Sequence, residues 1–381
     1  MSVPERERLK IEDLVAEAER VFSICNACRY CEGYCATFPA LERRLSFGEG
    51  DVHYLASLCH NCGSCLYACQ YAPPHEFQVN FPRVMAQARA ETYRKYTWPG
   101  VLAPLFARNG SVVSGAIAAS LAAAFAFIVL HAGTGRFVAA WPDAQGSFYA
   151  LLSHGIMTAI FGVVFLAAIA VLAIGFARFW RDTGERLGEL VVPHATAGAA
   201  HDALTLKYLG GGGEGCRYPD EKPSQLRRRF HHLTFYGFLL CFAATCVATV
   251  YHYGFGWKAP YPYLSVPVVL GTLGGIGLLV GPAGLLWLKE RRDSDLVDRA
   301  QTGMDVGFLV LLFLAGLSGL LLLAFRETAA MGTLLAVHLA IVLATFVTMP
   351  YGKFVHAVYR FAALARWRIE RRRPLPDVAA E

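Results

Sequence analysis

The residues best equipped for chemistry lie early in the chain. Cys25, Cys28, Cys31 and Cys35 form one C-x2-C-x2-C-x3-C motif, and Cys59, Cys62, Cys65 and Cys69 form a second. Three thiolates on a tight loop can cap three irons of a cubane, but the loop cannot wrap the whole cube, so a fourth ligand comes from elsewhere. In two-cluster ferredoxins each motif lends its fourth cysteine to the other cluster. The spacing therefore predicts two [4Fe-4S] clusters, one on Cys25, Cys28, Cys31 and Cys69, the other on Cys59, Cys62, Cys65 and Cys35. Zinc sites usually arrive as C-x2-C pairs with a longer gap, which two copies of a triple spacing do not match. The fourth cysteines are followed by Ala36 and Gln70 where ferredoxin motifs usually carry proline.

Histidines inside apolar runs form the second chemical set, because ionisable residues in a membrane are costly and point to function. His338 and His356 are 18 residues apart, which on one continuous helix is five whole turns and a shared face. Their separation along that helix would be about 27 Å, enough for one axial ligand to each of two stacked haems. Depth-matched partners lie on other spans. The reading is an inner haem between His356 and His231 or His232, and an outer haem between His338 and either His154 or His252. His231 lies about 60° from the face of His252 and His232 about 160° away, so a span carrying both ligands favours His231. No C-x2-C-H motif occurs, so both haems are expected to be b-type and non-covalent. The plainer reading of the same residues is hydrogen-bonded or snorkelling histidines. His53, His60, His75, His131, His194 and His201 read as structural or surface residues, and Cys241 and Cys246 as small packing residues.

The elements that must position these groups follow from composition. The chain has 381 residues, 55% hydrophobic and 17% charged, with a mean hydropathy of +0.39, which excludes a disordered chain and an ordinary soluble domain. Eight of the 11 cysteines fall between Cys25 and Cys69, as metal ligands in a reducing compartment would. A net charge of +6 is modest, and no nucleic-acid partner is expected. Residues 1–110 are polar and free of long apolar runs, whereas such runs occur at 111–131, 149–177, 232–252, 264–288, 304–325 and 331–350. Each approaches the roughly 20 residues that cross a bilayer, giving six spans. Met1–Lys10 is charged and does not read as a signal peptide. Ile11, Leu14, Val15, Ala18, Val21 and Phe22 share one face of a helix over 11–24, and 81–94 also reads as helical. The expected fold is all-α: a two-cluster ferredoxin-type domain over 1–110, a six-helix cytochrome b-type bundle over 111–361 with a loop at 178–230, and a basic tail over 362–381.

Charge sets the orientation. Segments 132–148, 253–263 and 326–330 hold only Arg136, Lys258 and Arg326, while the other 32 Lys and Arg lie on the opposite side. The positive-inside rule then places both cysteine motifs and both termini in the cytoplasm, with the spans in a bacterial inner membrane. Segment 178–229 carries nine positive charges and the run Leu204-Thr-Leu-Lys-Tyr-Leu-Gly-Gly-Gly-Gly-Glu-Gly-Cys216. It lacks the frames of nucleotide-binding loops, so it reads either as a flexible link or as a docking surface folded back on the ferredoxin domain, with Cys216 a free thiol.

Few strand-like runs separate the two cysteine motifs, and the domain resembles the α-helical ferredoxin of succinate dehydrogenase iron–sulfur subunits. Over essentially the whole chain, the paired motifs, the cytoplasmic GGGGEGC loop and His231-His232-Leu-Thr-Phe-Tyr-Gly-Phe resemble the tricarballylate-utilisation protein B family, also called CitB. The membrane half resembles the γ subunit of respiratory nitrate reductase, whose last helix carries two haem ligands 18 residues apart, the spacing of His338 and His356. The resemblance implies a redox partner for a separate FAD-dependent dehydrogenase that oxidises tricarballylate to cis-aconitate, with electrons leaving to the quinone pool.

The residues lead to the same reaction class without the substrate. Clusters and haems form a chain of one-electron carriers, and no flavin or nicotinamide fingerprint is present, so the organic oxidation falls to a partner. A heterodisulfide-reductase-like membrane subunit is the first alternative, although no adjacent Cys-Cys pair occurs. A redox-sensing membrane regulator is the second, and it would need no haems.

Overall fold

The computed structural model of the chain describes residues 11–139 and 146–374, which leaves Met1–Lys10 and 375–381, the end of the basic tail, outside the described residues. The N-terminal region is helical: α1 (Ile11–Cys28), α2 (Thr37–Leu41), α3 (Glu49–Leu58), α4 (Ser64–Tyr67) and α5 (Phe81–Lys95). Leu14, Ala18, Val21 and Phe22 of α1 recur at helical spacing and are buried, with the Phe22 ring against Phe47 at 5.0 Å and Phe81 at 5.7 Å. Helix α5 starts where the Asn80 side chain accepts from the Arg83 amide and Pro82 occupies the first turn, which needs no amide donor there.

Six helices are long and apolar enough to cross a membrane, and they make this a multi-pass membrane protein: α6 (Asn109–Ala132), α7 (His154–Asp182), α9 (Leu226–Phe255), α10 (Val266–Glu290), α11 (Thr302–Phe325) and α12 (Met331–Thr348). Between α7 and α9 lie α8 (Pro193–Leu204) and a two-residue antiparallel ribbon, β1 (Cys216–Arg217) with β2 (Pro223–Ser224). Helices α9 and α10 lie closest, because small residues let the backbones touch. A Cβ on Gly274 would come within 2.7 Å of the Cys241 sulfur, so Cys241 packs in this seam, whereas Cys246 is exposed.

The chain after α12 differs from the sequence expectation in two ways. His338 and His356 do not share a helix: α12 ends at Thr348, a short 3-10 turn covers Met349–Tyr351, and α13 runs Val355–Glu370. Pro350 has no amide to continue the helical ladder, and Gly352 takes an extended backbone (φ −139°, ψ −165°), so the chain turns before His356. Residues 362–370 are not a tail either. They complete α13, whose Ala362, Ala363, Leu364 and Ala365 are buried in the core that joins the N-terminal helices to the near ends of the membrane helices. Ion pairs lock this helix in place. Arg44 bridges Asp51 at 2.7 Å and Glu370 at 2.5 Å, Tyr54 donates to Glu370 at 2.9 Å, and Arg368 holds Asp202 of α8.

Candidate functional site

The first cysteine motif begins on the last turns of α1, with Cys25 and Cys28, and continues through a turn opened by Arg29 in the left-handed region (φ 55°). The second begins where α3 ends at Cys59, turns through left-handed Asn61 (φ 52°) and Gly63 (φ 81°), and continues on α4. Each fourth cysteine lies near the other motif: Cys35 shares a cavity with Cys59, Cys62 and Cys65, and Gln70, next to Cys69, reaches Cys28. Burial first, then the charges of Cys31, Cys69 and Cys28, pushes the Cys25 thiol well up, so Cys69 stands with the first motif. Burial, then Cys62 and Cys59, pushes Cys35 up to about 12, so Cys35 stands with the second. Cys35, Cys59, Cys62 and Cys65 line one cavity together with Tyr34, Phe38 and His60.

This donor chemistry fits an iron–sulfur cluster. Four thiolates held together repel one another and need cationic metal among them to ionise, and soft thiolates suit iron and sulfide. Among the described residues no three His, Cys, Asp or Glu side chains converge on a point that could hold a single metal ion. The second set instead surrounds a space with its sulfurs in the walls.

The segment 204–216 folds back on these loops. Gly211 and Gly212 adopt left-handed backbones (φ 53° and 82°), and a Cβ on Gly211 would lie 2.6 Å from the Ser64 hydroxyl. On Gly212 it would lie 3.4 Å from the Gly33 carbonyl, so the glycines let this strip press against both cysteine motifs. The buried Cys216 donates to the Leu209 carbonyl at 3.0 Å and stands beside Cys62. The neighbouring Cys216, followed by the Ser64 amide and hydroxyl, outweighs burial and holds the Cys62 thiol down at about 6.

At the near end of the bundle, the rings of His231 of α9 and His356 of α13 stand nearly perpendicular, at 77°, with centres 6.2 Å apart. Two imidazoles binding one metal from opposite sides, at about 2 Å each, stand with ring centres about 6 Å apart. His356 Nδ1 lies 2.5 Å from the Lys353 carbonyl, which puts the proton on Nδ1 and leaves Nε2 a free lone pair. Burial, then Lys353 and Arg360, holds His356 well below the usual histidine range, so the ring is neutral as a ligand must be. Nδ1 of His231 is buried and finds no partner among the described residues. His232 turns instead toward Tyr236, with ring centres 5.8 Å apart. Two neutral imidazoles at this separation are residues that would hold a haem iron.

At the far end the arrangement differs. His154 of α7 and His252 of α9 stack face to face with ring centres 3.5 Å apart, flanked by Tyr149 and Tyr253. His338 lies against α11, with Nδ1 2.9 Å from the Ser318 hydroxyl and its ring beside Gly319. Between the two levels, Phe165 of α7 meets Phe242 of α9 at 5.8 Å and Phe346 of α12 at 5.2 Å.

Comparison with known proteins places the chain. Residues 116–377 match the family model for citrate utilization protein B, and residues 18–95 match the model for that protein's Fer4-like domain. The chain belongs to the citrate utilization protein B family. A citrate utilization protein B from Escherichia coli is 54% identical over 362 residues, covering 94% of this chain and 93% of that protein. No solved structure matches.

Several residues of this citrate utilization protein B family member sit at the sites without having been singled out by spacing. His60, read as structural or surface, is buried in the wall of the second cysteine cavity, with Nδ1 3.0 Å from the Leu58 carbonyl. Arg360, one turn after His356, donates to the Cys59 carbonyl at 2.9 Å. Arg227, one turn before His231, donates to the Asn61 carbonyl at 2.7 Å. Both near-end histidine helices thus reach the second cysteine loop through an arginine. The only sequence signal was this i±4 spacing, and nothing in it named Asn61 or Cys59 as the partner.

Proposed function

We propose that this chain relays electrons from a soluble FAD-dependent dehydrogenase to membrane quinone, holding two [4Fe-4S] clusters and two b haems. The observation that carries the reading is the tie between the second cysteine set and the His231–His356 pair through Arg227 and Arg360. One helical turn, about 6 Å of rise, separates His356 from the arginine that touches the cysteine loop. When bound, the clusters and haems supply one-electron steps; the chain's own residues hold them in order and keep water from them. Cys25, Cys28, Cys31 and Cys69 hold the first cluster at the more exposed site, beside Tyr30 at 68% exposure, where a partner can dock. Cys35, Cys59, Cys62 and Cys65 hold the second, deeper site. His231 and His356 ligate the inner haem.

For the outer haem, two rings stacked 3.5 Å apart leave no room for an iron between them, so His338 pairs with one of His154 and His252. The spans lie in a bacterial inner membrane, with the cysteine motifs and both termini on the cytoplasmic side. The name of the Escherichia coli relative and the family resemblance point to a tricarboxylate, and the partner we favour is a tricarballylate dehydrogenase.

The test is anaerobic purification followed by iron and sulfide analysis, optical spectroscopy, and mixing with the reduced partner and a quinone. The expected result is about eight non-haem iron and eight sulfide per chain, b-haem absorbance, and haem reduction by the partner. Zinc without acid-labile sulfide would end the cluster assignment. A protein without haem would point to the regulator, and haems that dithionite reduces but the partner does not would refute the proposed donor.

A further inference from the structure

Several arginines in the near half of the protein find carboxylates. Arg44 pairs with Asp51 and Glu370, Arg368 with Asp202, and Arg373 with Glu185 and Glu189. Three arginines without a carboxylate partner meet instead at one loop. Arg89 of α5 donates to the carbonyls of Ala56 and Cys59 at 3.0 Å each. Arg360 of α13 donates to the same Cys59 carbonyl at 2.9 Å, and Arg227 of α9 to that of Asn61 at 2.7 Å. Among the described residues none of the three forms an ion pair with a carboxylate, and Arg360 Nε is buried without a partner. Three helices that are far apart in sequence therefore each bring an uncompensated positive charge to one six-residue segment, 56–61, the start of the second cysteine motif.

Uncompensated positive charge in a poorly solvated place calls for an anion. The anion the donor set offers is the group held by Cys35, Cys59, Cys62 and Cys65. Adding an electron there adds negative charge, which burial opposes and fixed positive charge favours. Cys59 and Cys62 are themselves buried, so without the arginines the second site would resist reduction more than the first.

We propose that Arg89, Arg227 and Arg360 form a cationic collar that raises the reduction potential of the second cluster above that of the first. The inference rests on the function proposed above. One electron leaves the first cluster, which is oxidised, and enters the second, which is reduced; no bond or proton changes. The flavoprotein partner supplies that electron and the inner haem removes it. The arginines are positioning residues that give the relay its direction toward the membrane.

The experiment is a redox titration followed by electron paramagnetic resonance on the full-length protein in detergent. It compares wild type with Arg89→Gln, Arg227→Gln, Arg360→Gln and Arg360→Lys. The two cluster signals are assigned by their loss in Cys69→Ser and Cys35→Ser. In wild type the second cluster should titrate at the higher potential. Each glutamine variant should shift that cluster to lower potential and leave the first unmoved, while Arg360→Lys retains most of the wild-type value. Because the three variants lie on three helices, misfolding of one, seen as lost iron, leaves two others to decide. Second-cluster potentials equal to wild type, or both clusters shifting together, would overturn the collar. So would loss of a haem with unmoved clusters, which would assign the arginines to haem carboxylates. Absence of any cluster signal in wild type would instead refute the proposed function itself.

Discussion

The two ends of the membrane bundle hold the same residue type in different ways. At the near end, His231 and His356 stand 6.2 Å apart, with α13 anchored by the core and by ion pairs to the cysteine domain and α9 tied to it through Arg227. At the far end, His154 and His252 stack 3.5 Å apart, and His338 is held separately by Ser318. A histidine whose backbone is tied on several sides can be pre-set for a ligand, because its neighbours fix both its position and its free nitrogen. A histidine near a membrane surface with fewer ties takes the nearest flat partner, which here is another histidine. The near pair is thus built into the fold, whereas the far histidines are held by one another and by Ser318.

The largest expected effect breaks the near end altogether. Cys35→Ser should remove the cluster shared with Cys59, Cys62 and Cys65, dropping non-haem iron by about four of eight per chain and abolishing haem reduction by the partner. Metal analysis and stopped-flow absorbance check this. Retention of full iron content would show that Cys35 is not a ligand.

Histidine substitution sharpens the comparison next. His356→Ala should remove one haem and stop reduction from the clusters, while the haem of the far end stays detectable after dithionite. His338→Ala should remove the other haem and leave cluster-to-haem transfer intact. Pyridine haemochrome content and the reduced optical spectrum report both. Unchanged content in both variants would make these ordinary membrane histidines.

Smaller effects fall on the ties themselves. Arg44→Ala removes one of the two guanidinium groups beside Glu370, Arg366 staying at 3.6 Å, so the cost should reach at most the ~3–5 kcal/mol of a buried pair broken outright. The near-end haem should melt out at lower temperature than in wild type, and the far-end spectrum should not change until the bundle unfolds. Gly211→Ala should cost less, about 1–3 kcal/mol, from a left-handed backbone and a Cβ only 2.6 Å from the Ser64 hydroxyl. Thermal unfolding, together with the rate of cluster loss in air, measures it. A Gly211→Ala protein as stable as wild type would mean the strip does not seal the cysteine loops.

Much of this was legible locally. The two C-x2-C-x2-C-x3-C motifs announce themselves because the ligand spacing is set by one short loop. The six membrane helices announce themselves because a bilayer demands a continuous apolar run. The break between α12 and α13 was also written in the chain, in Pro350 and Gly352, but the 18-residue spacing of His338 and His356 suggested one helix passing through it. The loop at 204–216 left two readings open, and the choice between them depended on surfaces more than a hundred residues away.

What the amino-acid sequence determined alone is therefore the inventory: thiols grouped for clusters, apolar segments that span, and charges distributed to one side. Only the tertiary structure decided the pairings. The turn at 349–352 brings His356 of α13 against His231, which helical phase had already favoured over His232. Arg89, Arg227 and Arg360 meet at one loop because α5, α9 and α13 converge there, and the buried ends of α13 put Ala362–Ala365 in the core where a basic tail was expected. Local spacing constrains groups a few residues apart through backbone geometry. Contacts between groups hundreds of residues apart depend on how whole helices pack, which no short window of sequence contains.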